Sequence, residues 1–94
     1  MPNIITRLDL YNWICKELKD MSLYLEFYSN KVYLEDLIYN LIPRFFVRVR
    51  KLCKIMQNYA KLLQIDVEEC YSFIKFVIKN YCNQSVIDIK VNNE

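Results

Sequence analysis

From Ile4 onward, apolar residues return every three or four positions through most of the chain, which is the spacing of amphipathic helices. Thr6-Arg7-Leu8-Asp9 reads as a capping box that opens the first helix, with Ile5 placed to staple onto Leu10. The apolar stripe that follows is Ile4, Leu8, Tyr11, Cys15 and Leu18. Between Met21 and Tyr28 the pattern is mixed. Leu23, Leu25 and Phe27 alternate as a strand would, but their helical flanks favour a helix or an irregular turn. Ser29-Asn30 interrupts the pattern, and Leu34, Leu37, Ile38 and Leu41 begin a second amphipathic segment.

Pro43 suits the first position of a further helix, where its missing N–H costs nothing. That helix presents Phe45, Val49, Leu52, Met56, Tyr59 and Leu63 on one face. Asp66-Val67-Glu68-Glu69 reads as a second capping box with Ile65 as its staple, and the acids suit the positive end of a helix dipole. The helix after it turns Val67, Cys70, Ile74, Val77, Ile78 and Tyr81 inward. Past Ser85 the period changes: Ile87, Ile89 and Val91 alternate with Asp88 and Lys90, as in a short strand or an extended tail. The pattern as a whole predicts a mainly α fold, with residues 1–94 as one helical domain. Its form is a compact bundle of four or five helices, with a helix-turn-helix-like C-terminal half and a short C-terminal strand.

The charges are unevenly spread along this framework. The formal net charge is only +2, yet no carboxylate occurs between Asp36 and Asp66, where six cations do: Arg44, Arg48, Arg50, Lys51, Lys54 and Lys61. On one helix all six fall opposite the apolar face. Such a stripe is open to several uses. It can be a solvated face answered by Asp36, Asp66, Glu68 and Glu69, a docking site for an acidic protein, or a sequence-independent track for phosphates. A membrane surface would need Phe45 and Phe46 to insert beside Arg44 and Arg48, and the core has more need of that face. Arg44, Arg48, Arg50, Lys51 and Lys54 are the candidate partner- or phosphate-binding residues. Trp13, Phe73 and Phe76 lie off the main stripes, where they either widen the buried arc or form a hydrophobic interface.

Two absences remove whole classes of chemistry. The chain has no glycine, which excludes the phosphate-cradling loops and nucleophile elbows that need a backbone without Cβ. It has no histidine, which excludes zincin motifs and histidine-based triads. Without glycine, chain reversals are expected at Asn30, Asn40, Asn58, Asn80 or Asn83, since asparagine best tolerates left-handed backbone. Cys15, Cys53, Cys70 and Cys82 form neither a CxxC pair nor a metal-site spacing, and read as small buried hydrophobes. Cys53, beside Lys51 and Lys54, is the one with a cationic neighbourhood. The carboxylate–tyrosine groupings, Glu35-Asp36 with Tyr39 and Glu68-Glu69, sit where caps and solvated faces belong. No metal, cofactor, small-molecule substrate or catalytic residue is expected. Reduced thiols, no evident signal peptide and no membrane-spanning run together point to a soluble protein of the cytoplasm or nucleus.

One stretch resembles a known family. Tyr59-Ala60-Lys61-Leu62-Leu63-Gln64-Ile65-Asp66-Val67-Glu68-Glu69 has the cadence of a helix-turn-helix, and Ile87-Asp88-Ile89-Lys90-Val91-Asn92 is similar to a wing strand. Together residues 59–92 resemble the winged-helix half of PCI domains, which serve proteasome-lid, signalosome and translation-initiation scaffolds. No strand pattern precedes the first of the two helices, which departs from that family. The resemblance implies a non-catalytic scaffold acting through protein contacts. A DNA-reading winged helix would present Asp66, Glu68 and Glu69 to phosphates, which is the wrong sign. The sequence therefore predicts a protein-interaction module of an intracellular assembly, its partner an acidic protein or a second copy of itself. Nucleic-acid binding through the helix over residues 43–64 is the alternative.

Overall fold

A computed structural model describes residues 3–29 and 31–81. Four α-helices follow in order: α1 (Arg7–Ser29), α2 (Leu34–Asp36), α3 (Ile42–Leu62) and α4 (Val67–Tyr81), with a π-helical turn over Leu37–Leu41 between α2 and α3. Because α2, the π turn and α3 run on without a break, the described residues form three rods. The expected C-terminal strand, Asn83 and Cys82 lie outside the described residues, as does Asn30.

The start of α1 is built as its sequence suggests. The amide of Asp9 donates to Thr6 Oγ1 at 3.1 Å, and the amides of Thr6 and Ile5 donate to Asp9 Oδ2 at 3.0 and 3.1 Å. That closes the capping box and satisfies one further N–H. The staple does not form as expected: Ile5 is 66% exposed, and Ile4 packs against the core instead.

The buried stripe of α1 also differs from the expected one. It comprises Leu10, Ile14, Leu18, Met21 and Leu25, while Leu8 is exposed and Tyr11 and Cys15 are half-buried. Apolar residues occur on most sides of this helix, so periodicity alone offers two overlapping stripes. Packing against two partners, α3 and α4, selects the one between them. The ambiguous run from Met21 to Tyr28 is the last part of the same helix.

Pro43 stands in the first turn of α3, as its sequence suggests, but α3 is not a separate rod. The amide of Ile42 bonds to the carbonyl of Leu37, five residues back, which is the π-helical pattern. A proline cannot make the normal bond to the residue four before it, and its ring crowds that carbonyl. The widened turn just ahead of Pro43 lets the helix continue through it.

The reversal between α3 and α4 is a Schellman motif. Ile65 N–H bonds to Ala60 O at 2.8 Å and Gln64 N–H to Lys61 O at 3.3 Å. The motif needs one left-handed residue, and here that is Gln64, at φ 57°. Among the described residues no asparagine has positive φ; Asn40, Asn58 and Asn80 are all within helical turns. Asp66 then caps α4, its Oδ1 accepting from the Glu68 amide at 2.9 Å. The second capping box is only half made, because Glu69 turns away to pair with Arg7 at 3.1 Å.

The core is a single cluster drawn from all three rods. Leu10, Ile14, Leu18, Ile42, Met56, Ala60 and Cys70 are fully buried in it. α4 closes one flank of the α1–α3 pair. Tyr11 of α1 stacks on Phe73 of α4 with ring centroids 4.3 Å apart and planes 8° from parallel. On the α3 side, Gln57 Nε2 donates to the Tyr71 hydroxyl.

Candidate docking surface

The apolar face of α3 goes where its spacing sends it. Phe45, Val49, Leu52 and Met56 are buried, and Tyr59 and Leu63 are half-buried. At about 100° per residue, the cations must then lie outside, and all six are exposed. Phe45 is only 3% exposed and Phe46 packs against the core, so this pair does not offer lipid an apolar wedge.

The cations divide into two rows. Arg44, Arg48 and Lys51, spaced i, i+4, i+7, lie on the flank of α3 that meets α1 away from α4. Two shallow depressions mark that flank. Met21, Tyr24, Leu25, Leu41, Arg44, Phe45 and Arg48 line the first, of about 150 Å³. Trp13, Glu17, Met21, Arg48, Lys51, Leu52 and Ile55 line the second, of about 230 Å³. Arg48 and Met21 belong to both, so the two form one groove. Arg50, Lys54 and Lys61 point to the outer surface and line neither depression.

The six cations of α3 find no carboxylate partner among the described residues. The ion pair of Arg7 with Glu69 involves none of them. Asp36 instead accepts a hydrogen bond from Asn40 Nδ2 at 3.1 Å, and Asp66 is committed to its cap. Glu17 shares the second depression with Arg48 and Lys51 without forming an ion pair to either. Arg48 lies over the ring of Tyr24, its guanidinium carbon 6.0 Å from the centroid.

The aromatic candidates separate. Trp13 is half-buried and tilted against Tyr59, with centroids 6.3 Å apart, and Phe73 is taken up by its stack on Tyr11. Phe76 is 52% exposed. The larger apolar surface lies elsewhere, in the hairpin where α1 runs beyond α4. Leu23, Tyr24, Phe27, Tyr33, Leu34 and Tyr39 are all at least half exposed there. Lys31 Nζ sits 3.7 Å from the Phe27 centroid. The alternation Leu23–Leu25–Phe27 was the available signal for this patch, since on a helix those residues cannot all face inward.

The thiols are placed as packing groups. Cys70 is fully buried and Cys53 half-buried, and loss of hydration pushes both thiols above their ordinary range. The Tyr11 hydroxyl, beside Cys70, is raised too, chiefly by burial. A raised pKa leaves little thiolate at neutral pH. Among the described residues no three of Cys, Asp and Glu converge as a metal site, and no helix is long and apolar enough to cross a membrane. No family model, curated protein or solved structure matches this chain.

Proposed function

We propose that this chain is a non-catalytic interaction module that binds an acidic protein surface through α3. The observation that carries this reading is the row Arg44, Arg48 and Lys51, exposed beside an apolar groove and unmatched by any described carboxylate. Phosphate and carboxylate both suit such cations, and the neighbouring apolar side chains favour protein. A phosphate backbone gains nothing from Ile55 or Leu41, whereas a protein interface buries them. The likeness of residues 59–92 to a PCI winged helix supports the same kind of role, in an intracellular scaffold of four or five helices with a terminal strand. The short α3–α4 reversal is compatible with its helix-turn-helix half.

Nucleic-acid binding is the second reading, favoured by the same unmatched cations. Salt dependence and competition separate the two. On the present reading the chain is held by immobilised polyglutamate, and duplex DNA at equal charge concentration does not displace it. Retention on DNA that polyglutamate fails to compete would favour the second reading.

A further inference from the structure

The groove between α1 and α3 has a definite geometry, because α4 occupies only one flank of that helix pair. Arg7, Tyr11 and Gln57 mark the occupied flank, through Glu69, Phe73 and Tyr71. Counting about 100° per residue, Trp13, Glu17 and Tyr24 project from the other side of α1, and Arg44, Arg48, Lys51 and Ile55 from the facing side of α3. No described element covers them. Each rim spans 12 residues, from Trp13 to Tyr24 and from Arg44 to Ile55, which is about 16 Å or three helical turns end to end.

We infer that this groove receives one amphipathic α-helix of a partner protein, completing a four-helix arrangement with α1, α3 and α4. The inference rests on the acidic-partner reading above and specifies its mode. The floor is apolar, with Met21, Leu25, Phe45 and Leu52 at the base of the two depressions, so the guest must present an apolar stripe. The rims differ in sign. The α3 rim carries Arg44, Arg48 and Lys51 at i, i+4, i+7, and carboxylates at the same spacing on a guest helix meet all three. The α1 rim carries Glu17, so the opposite edge of the guest is neutral or basic.

The aromatic rings on this flank oppose a single-stranded nucleic acid as occupant. Base stacking needs a free ring face. Trp13 is packed against Tyr59, and Tyr24 is engaged by Tyr28 at 4.6 Å and by Arg48. Both rings are already engaged by neighbours, and the apolar residues lining the two depressions suit aliphatic side chains.

Three synthetic helix-forming peptides of about 18 residues test the inference. One has a leucine stripe with glutamates along one edge. The second has the same stripe with lysines in their place, and the third has the first's composition with its leucines dispersed. Each is titrated into the ¹⁵N-labelled full chain. The first peptide should cause saturable shifts at the Trp13 indole N–H and the Tyr24 and Ile55 amides. The other two should bind at least about tenfold more weakly, a loss of about 1.4 kcal/mol. Arg48→Glu with Lys51→Glu, and separately Ile55→Asp, should weaken the first peptide by a similar factor. All three positions are exposed, and circular dichroism checks that the helices persist.

Equal binding of the striped and dispersed acidic peptides, with shifts around Arg50, Lys54 and Lys61, would overturn the groove while leaving an acidic partner in place. No binding of either acidic peptide would overturn both readings. Dimerisation of the chain alone, abolished by Ile55→Asp, would make the groove a self-interface and overturn the partner helix.

Discussion

The rings of Tyr11 and Phe73 lie nearly parallel with centroids 4.3 Å apart, and this stack fixes α4 against the N-terminal half of α1. The ion pair of Arg7 with Glu69 is one helical turn away on both helices, in the same register. That register fixes which flank of α1 is covered by α4 and, by exclusion, which flank no described element covers.

The stack should therefore show as a coupling energy. Tyr11→Leu and Phe73→Leu, taken singly and together through urea unfolding, should give an interaction of about 1 kcal/mol beyond the area each ring buries. Additive effects would mean that the two rings do not stack in solution. The Arg7–Glu69 pair is more than half exposed at both side chains, so its removal should change stability much less.

Gln64 carries the left-handed conformation that a Schellman motif normally gives to glycine. Gln64→Gly should stabilise the chain by about 1 kcal/mol, because a side chain at positive φ is costly there. Gln64→Val should destabilise it, since branching at Cβ worsens the same clash. A glycine variant less stable than the parent would show that the α3–α4 turn is built differently.

The Asp9 carboxyl is held below its ordinary pKa of 3.8, first by the Ile5 amide and then by the Thr6 amide and hydroxyl. A lowered folded pKa makes the carboxylate's contribution complete above the unfolded value, and it is lost as pH falls through the folded value. The stability difference between the parent and Asp9→Asn should therefore be largest above about pH 5 and shrink below about pH 3. Thermal midpoints across that range test this, and a difference constant with pH would rule out the cap's ionic character.

Cys70 should resist alkylation in the native state, since it has no exposed surface and its thiol is pushed up by burial. Iodoacetamide at pH 7 should modify it only at a rate set by unfolding, and mass spectrometry of peptide fragments can follow this. Rapid native labelling would place Cys70 at the surface.

The helical character was legible because the spacing of the apolar residues, the Thr6–Asp9 box and the Asp66 cap are all local signals. Which stripe of α1 is buried was not. Leu8 and Leu10 are equivalent by composition, and only contact with α3 and α4 puts Leu10 inside. The continuous path through Pro43 was equally hidden, because a π turn relieves the proline without leaving a residue signature. Gln64 was missed because glutamine has no special preference for positive φ; the Schellman hydrogen bonds and the burial of Ile65 impose it. The basic character of α3 was plain, and two rows follow from its spacing, but which row borders a groove was not legible. That depends on where α1 lies, which periodicity cannot supply.

Two triple variants test most directly whether a site or mere charge governs binding. Arg44→Glu/Arg48→Glu/Lys51→Glu reverses the groove row, and Arg50→Glu/Lys54→Glu/Lys61→Glu reverses the outer row, with the same change in net charge. Affinity for the striped acidic peptide, measured at matched salt, should fall at least tenfold more for the groove row, about 1.4 kcal/mol. Equal losses from the two variants would contradict the account, because net charge alone would then explain the binding.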